Sequence, residues 1–539
     1  MNYLKWLWRN SKGIRRNTLL RILAGFGQVG LGLLMVWLCK HFIDVTIHTG
    51  SMADVWQMVA LLVAVALGGI VLRQLYYYMT TLANVRQVNN IRLRIFSHMQ
   101  RARLYEGNGL HSGDITSRLE KDIDAVGNAC TSILPECVIT LAQLLGAFLL
   151  MHSMDKRLAW LLLLMTPIVV GFGKFLVHKL RQMTLDIRQQ ESHIQMLVQE
   201  GMEHNEIVRT LDGSSWMNER LDDMQQSLHG KVRRRTSFTV VTRFIISASF
   251  SLGYLTAFIW GGLQLRDGVI TFGVMTSFLQ LVSRIQHPIL SMVNMVPQLI
   301  HATASIDRLD ELETMEAESQ EKQVMLSGQI GVRLTDVCFR YATGDRQVLD
   351  QFSHCFRPGS KTAIMGLTGV GKTTLFRLIL SLMKPQAGRL TVFNGDREIE
   401  IGDCTRTNFV FVPQGNTLMS GSVRYNLQLA RPEATDDELL HVLHTAMADF
   451  VLELPDGLDT MLGERGIGLS EGQAQRIAIA RGLLRPGGMM LLDEISASLD
   501  EATERELYSR LFASYPEKTM LFITHRPTVC EFCDEVVRL

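Results

Sequence analysis

The sequence predicts a multidomain chain: an all-α membrane domain of six transmembrane helices followed by an α/β P-loop nucleotide-binding domain. Three observations predict it. Apolar runs without Asp, Glu, Lys or Arg occupy 22–39, 55–72, 137–154, 158–173, 244–265 and 268–283, each 16 to 22 residues long, and about twenty apolar residues cross a bilayer core. Gly366-Leu-Thr-Gly-Val-Gly-Lys-Thr-Thr374 fits G-x-x-x-x-G-K-[ST], the loop that cradles phosphates. From Val332 onward, short β-branched and aromatic strands alternate with helices, the pattern of a parallel α/β domain. The boundaries drawn are 1–306 for the membrane domain, 307–328 for a charged and polar linker, and 329–539 for the nucleotide-binding domain.

The membrane half comes first. Its opening, MNYLKWLWRN, is basic and amphipathic, with Trp6 and Trp8 suited to a bilayer interface. It lacks the apolar stretch and small-residue cleavage site of a removable signal peptide. Lys and Arg crowd the first sixteen residues, the 83–130 segment and the 174–243 segment, whereas 44–54 holds none and the turn before 268 only Arg266. The positive-inside rule then places both termini in the cytoplasm; Lys156 and Arg157 run against it and are outnumbered. Both long cytoplasmic loops keep an apolar residue every three or four positions, so 76–101 and 185–228 read as helices continuing the spans. The sixth span, Ile270 to about Ile306, contains Arg284, His287, Pro288 and Pro297. A cation in the inner half of a bilayer either lines a cavity, as a substrate contact, or snorkels to the headgroups. Arg284 is read as a candidate cavity residue with that alternative open, and His287 as its weaker neighbour.

Eight cysteines without framework spacing suit a reducing compartment, and Cys530-x-x-Cys533 stands alone as a pair. A net charge of +1 excludes a general nucleic-acid binder, which needs a basic surface.

In the soluble half, Lys361 to Met365 reads as a buried strand and Leu375 to Leu382 as the helix that follows the phosphate loop. Gly366, Gly369 and Gly371 let the backbone curl so that N–H groups of Leu367, Thr368 and Val370 turn toward phosphate oxygens, beside a helix N-terminus. Lys372 supplies a cation to the β- and γ-phosphates, and Thr373, followed by Thr374, a hydroxyl for Mg²⁺. Met489 to Asp493-Glu494 is a buried strand ending in two acids: Asp493 for the metal, Glu494 as general base. Val412-Pro-Gln414 ends another strand with an amide for metal and water. Leu469-Ser-Glu-Gly-Gln473 opens a helix, with Ser470, Gly472 and Gln473 available to an anion. Ala497-Ser-Leu-Asp500 follows the acids, and Ile523-Thr-His525-Arg526 closes a strand with an imidazole that can reach a γ-phosphate.

Taken together, GLTGVGKTT, VPQ, LSEGQ with AQRIAIARGLL, MMLLDE, SASLD and THR resemble the ATP-binding-cassette exporters of half-transporter type. Gly463-Glu-Arg-Gly466 resembles a segment of their exporter branch. Ser112 to Asp122 resembles the first coupling-helix region, and Ala302 to Arg308, with Ser305, the end of the sixth span. The resemblance implies ATP and Mg²⁺ as cofactors and a second identical or homologous chain as partner. It implies ATP held between one chain's P-loop and the other's Ser470–Gln473, with Tyr341 stacked on adenine. Membrane lipids and an amphiphilic substrate of unstated identity complete the implied partners, in a multi-pass protein of the cell membrane. Two departures stand out: Glu471 replaces the usual glycine of LSGGQ, and the chain stops at Leu539, soon after His525. An ATPase that regulates a partner complex without moving substrate, or one half of a heterodimer, are the alternative readings. The absence of an N-terminal peptidase module weakens a leader-peptide exporter.

Overall fold

The computed structural model describes residues 3–10, 13–103, 112–319, 321–341, 347–463 and 468–539. It resolves into two compact units, Met1–Phe96 with Ile115–Leu312, and Ser97–Asp114 with Glu313–Leu539.

Among its described residues the first unit is helical, with short turns between helices. After a short Tyr3–Asn10 helix come six long helical stretches: 15–49, Met52–Met99, 112–154, Lys156–Glu203, Ser214–Arg266 and Phe272–Glu313. Among the described residues, Arg15–Thr49, Met52–Met99, Gly113–Met154 and Ser214–Arg266 are long and apolar enough to cross a membrane. The apolar run 158–173 lies inside the Lys156–Glu203 helix, and most of 268–283 inside Phe272–Glu313. Exposed Leu67, Val71, Leu149, Phe244 and Leu252 cover the outside, as lipid-facing side chains do. Val36, Ala147, Met151, Phe278, Leu281, Val282 and Ile285 pack between helices. Single π-helical turns interrupt the stretches at Phe42–Thr46, Arg118–Asp122 and Ala129–Ile133.

Carboxylates pin the helices together. Asp44 accepts from Thr271 Oγ1 at 2.6 Å and from the Gly273 N–H at 2.8 Å. Asp155 caps the Lys156 helix and accepts from Trp260 Nε1 at 2.8 Å and Gln264 Nε2 at 3.0 Å. Buried Asp122 accepts from Ser305 Oγ at 2.8 Å and Arg308 Nε at 2.7 Å, and Arg118 reaches Glu311 at 2.7 Å. These last contacts explain one difference from the sequence reading. The linker expected from 307 is helical through Glu313, because Leu309 and Leu312 are buried and Arg308 and Glu311 are paired. A second difference lies in the 185–228 loop, where the helix ends at Glu203. It resumes as Asn205–Thr210 and Ser214 onward, with Asp212 at φ +50° turning the chain.

Among its described residues the second unit has eleven strands: β1 Gly331–Phe339, β2 Leu349–Phe356, β3 Lys361–Met365, β4 Ala387–Phe393, β5 Glu398–Glu400, β6 Phe409–Val412, β7 Gly421–Ser422, β8 Met461–Leu462, β9 Met489–Asp493, β10 Thr519–Ile523 and β11 Glu535–Arg538. An antiparallel sheet runs β2-β1-β4-β5, a parallel one runs β11-β3-β10-β9-β6, and β7 pairs with β8. The inner strands β9 and β10, with β6 beside them, are almost wholly buried and mainly apolar, as expected of a sheet covered on each side. Successive residues alternate between two cores: Met490, Leu492, Met520 and Phe522 enter one, and Met489, Leu491, Leu521 and Ile523 the other. In register, Ile523 pairs with Asp493 and with Ile364, and Val412 with Leu492. Parallel pairing therefore brings the ends of β3, β6, β9 and β10 to one edge, where α/β sheets place their ligands.

Candidate nucleotide site

The phosphate loop leaves β3 at Gly366 and becomes helix at Lys372, ending at Ile379. The sequence reading began that helix three residues later. Gly371, at φ +117°, caps it directly, and a Cβ there would meet Val348 Cγ1 at 2.6 Å. The early end follows from Ser381 at φ +52°, with Arg406 Nε donating to the Leu380 carbonyl at 2.8 Å. Gly369 also has positive φ, and Leu367, Thr368 and Gly369 are exposed around an open loop. The Val370 N–H turns back to Leu367 O at 3.2 Å.

Lys372 Nζ donates to Gly366 O at 2.8 Å and Leu367 O at 3.2 Å, and lies 3.1 Å from His525 Nε2. The same imidazole nitrogen is 3.2 Å from Glu494 Oε1. It accepts from Lys372 in one tautomer and donates to Glu494 in the other. Gln414 Nε2 donates to Glu494 Oε2 at 2.7 Å. Thus Lys372, His525, Glu494 and Gln414 form one chain of contacts across the ends of four elements. Glu494 has φ +47°, a conformation costing a non-glycine residue about 1–3 kcal/mol. Its N–H is held by Ile523 O at 2.9 Å, which fixes the kink that lifts its carboxylate out of the strand.

Asp493 lies beneath. Its Oδ2 accepts from Thr373 Oγ1 at 2.9 Å, while its buried Oδ1 has no hydrogen-bond partner among the described residues. Burial pushes this carboxyl above the ordinary carboxylate range; the Thr373 hydrogen bond opposes that and the Glu494 charge adds to it. Such an oxygen is incomplete without a cation or donor.

Tyr341 stands beside the phosphate-loop helix, its hydroxyl 2.9 Å from Thr374 Oγ1 and its ring edge-on to Phe339 at 5.1 Å. Arg377 donates to that hydroxyl at 3.4 Å, a neighbour the sequence did not single out. Ser470, Gly472 and Gln473 form a separate element. Ser470 caps the Glu471–Leu483 helix, its Oγ accepting from the Gln473 N–H at 3.2 Å, while Gln473 Oε1 accepts from the Ser470 N–H at 2.9 Å. Buried Gly472 leaves 3.0 Å between a built Cβ and Ser498 O. Among the described residues no hydrogen bond joins these three to the phosphate loop. Glu471 is exposed in the first turn of that helix, where a negative charge suits the dipole. Of the Gly463–Gly466 segment, only Gly463 falls within the described residues.

Asp500 caps the Glu501–Ser514 helix through the Thr503 N–H at 3.0 Å. Arg526 ties this stretch to the end of β10 by donating to Leu499 O at 2.7 Å and Ala497 O at 3.0 Å; nothing in its local pattern announces that role. The Cys530–Cys533 thiols are free, and among the described residues no group of His, Cys, Asp and Glu is arranged to hold a metal ion by itself.

In the first unit, Arg284 is half-buried with its guanidinium against the backbone of Gly32, where a Cβ would come within 2.5 Å of Nη1. Among the described residues it makes no hydrogen bond or ion pair. His287, one turn on, is exposed.

Residues 18–289 match the family described as the ABC transporter transmembrane region, and residues 349–497 the family described as ABC transporter. A multidrug resistance ABC transporter ATP-binding and permease protein of Lactococcus lactis subsp. lactis is 26% identical over 490 residues, 89% of this chain and 81% of that protein. An ATP-dependent lipid A-core flippase of Photobacterium profundum is 26% identical over 458 residues, 84% of this chain and 77% of that one. The solved structure of a bacterial Atm1-family ABC exporter with ATP bound shares the fold at a TM-score of 0.82 and 21% identity, covering 98% of this chain and 94% of that chain. With the transmembrane-region family matched over half of the chain and the ABC transporter family matched behind it, the chain belongs to the ATP-binding-cassette transporters, one membrane domain and one cassette in a single polypeptide.

Proposed function

We propose that this chain pairs with a second identical or homologous copy, hydrolyses ATP at the seam between two cassettes, and exports or flips a hydrophobic or amphiphilic substrate across the cell membrane. The observation that carries the reading is the meeting of Lys372, Thr373, Gln414, Asp493, Glu494 and His525 at one edge of the parallel sheet. Lys372 binds the β- and γ-phosphates. Glu494, held by Gln414 and His525, orients the attacking water and takes its proton. Tyr341 flanks the adenine, and Ser470, Gly472 and Gln473 serve the partner's nucleotide, which fits their having no bond to their own loop. Oxygen donors of this kind suit a hard cation, and Thr373 Oγ1, Asp493 Oδ1 and Gln414 would hold Mg²⁺. When bound with the nucleotide, that ion neutralises phosphate charge. The clustering of Lys and Arg supports cytoplasmic termini and a cytoplasmic cassette. The two named relatives, a multidrug transporter and a lipid A-core flippase, support an amphiphilic cargo.

The test is ATP hydrolysis by the purified protein in lipid nanodiscs, screened against lipids, drugs and peptides. ATP-dependent movement of any stimulating compound follows in vesicles. Hydrolysis that no compound stimulates, with no compound moved, rejects the export reading. In the same assay Glu471→Gly is expected to leave turnover within about threefold, because the exposed carboxylate is screened by water; a fall to background would place it in the site. Arg284, read as a cavity residue with His287 beside it, gives a further expectation. Arg284→Ala should weaken stimulation by anionic phosphatidylglycerol nanodiscs while basal turnover persists, and equal stimulation of both proteins removes the assignment.

A further inference from the structure

Cys530 and Cys533 bracket one turn near the end of the chain. Thr528–Phe532 is a 3₁₀ turn with Cys533 as its C-cap. The Cys530 N–H donates to Pro527 O at 2.9 Å and the Cys533 N–H to Cys530 O at 3.4 Å. Such a turn holds its first and fourth Cα atoms within about 7 Å, and a disulfide spans about 4.4–6.8 Å between Cα atoms. Both thiols are free and half-buried, so neither is sealed in the core. No other two of the eight cysteines are less than seven positions apart, which leaves this pair as the one that a single turn can bridge.

The surroundings of the two sulfurs lead to the nucleotide site. Cys530 Sγ donates to Met365 Sδ at 3.6 Å. Met365 ends β3, and the next residue, Gly366, offers the carbonyl that receives Lys372 Nζ at 2.8 Å. Cys533 packs on the core that contains Tyr508. The buried Tyr508 hydroxyl donates to Ser496 Oγ at 3.1 Å, two residues past Glu494. Phe532, between the cysteines, has its ring 6.2 Å from that of Tyr508 and 5.9 Å from that of Phe512. The turn is also tied at its edges. Arg505 pairs with Glu531 at 2.8 Å, and Asp534 accepts from the Lys361 N–H at 2.8 Å, at the start of β3.

A disulfide would aim Cys530 Sγ at Cys533, about 2.0 Å away, and the hydrogen bond to Met365 would vanish with the thiol proton. Phe532 would be re-aimed by the same closure. Burial raises both thiols above their ordinary range, Cys533 to about 12. A dithiol whose reduced form gains no thiolate stabilisation is the stronger reductant. It gives up electrons slowly and keeps the disulfide once formed.

We infer that Cys530 and Cys533 are an oxidative modification site: a small-molecule disulfide such as oxidised glutathione converts them to an internal disulfide that slows ATP use, and thiols reverse it. Cys530, as thiolate, attacks one sulfur of the small disulfide and expels one small thiol. Cys533 loses its proton to water, attacks Cys530 Sγ and expels the second. The pair gives up two electrons and two protons, and the small disulfide takes them up as two thiols. The slowing rests on the proposed ATPase activity of the cassette; the disulfide itself does not.

The experiment uses the full chain in nanodiscs, equilibrated with reduced glutathione alone or with oxidised glutathione in excess. Remaining thiols are blocked with iodoacetamide, bridged peptides are mapped by mass spectrometry, and phosphate release is recorded before and after dithiothreitol. The parent is compared with a protein carrying Cys530→Ala and Cys533→Ala together. The oxidised parent is expected to hold the Cys530–Cys533 disulfide. Its bridged fraction should turn over at least about fivefold more slowly, because small misplacements of reacting groups cost rate steeply. Dithiothreitol should restore it. The double variant should match the reduced parent in both buffers, and the parent's own reversible loss reads the effect even where that variant folds poorly. The site is overturned if the two thiols stay separately alkylated, carry glutathione one by one, or bridge to other cysteines. It is overturned equally if the mapped disulfide leaves turnover unchanged, or if the double variant slows alongside the parent. A reduced parent that releases no phosphate rejects the ATPase reading, and the slowing falls with it, while the peptide map still decides the disulfide.

Discussion

Replacing Glu494 with glutamine is expected to slow ATP hydrolysis by about 10²–10⁴-fold, a barrier increase of about 3–5 kcal/mol, while nucleotide still binds. The amide has the same shape and can keep the contact with Gln414 Nε2, now 2.7 Å from the carboxylate. It cannot accept the proton of an attacking water. His525, 3.2 Å away, is expected to orient the carboxylate and not to replace it. Phosphate release in nanodiscs measures the first quantity, and equilibrium binding of ATP measures the second. Turnover within tenfold of the parent would place the base on another residue.

Replacing Lys372 with alanine is expected to weaken ATP binding about 100-fold. A unit charge pair at 4 Å and an effective dielectric of 20 is worth about 4 kcal/mol, and rehydration of the phosphates returns part of it. The ammonium is preorganised: two loop carbonyls and His525 hold it, where the proposed reading brings the phosphate oxygens. Little ordering entropy is then left to lose on binding. Titration of the variant with ATP checks the figure, and an affinity within fivefold of the parent would mean that backbone N–H groups alone hold the nucleotide.

The candidate nucleotide site shows in the sequence as a set of particular residue types at short spacing, and the structure brings those residues together. Gly371 must adopt a positive φ, Asp493 and Glu494 must end a buried strand, and His525 must end its neighbour; each requirement leaves a local mark. Parallel pairing does the rest, since residues closing adjacent strands become neighbours. The buried ion pair of Arg103 with Asp403 leaves no such mark. Three hundred positions separate them, and each alone reads as an ordinary surface charge. The same holds for Arg526, whose task is to bond carbonyls of a distant turn. The helical course of 307–313 was hidden for a different reason. Its composition is that of a hinge, and only burial of Leu309 and Leu312 beside the paired Arg308 and Glu311 decides for helix.

The alternation along β9 and β10 has a mechanical meaning. Each strand is gripped from above and below by different sets of side chains, so the acids at the tip of β9 share the stiffness of both layers. Thinning either layer, by shaving Leu492 on one side or Leu491 on the other, loosens the same two carboxylates. Fuel use in this pump therefore inherits its tolerances from residues that never meet the fuel.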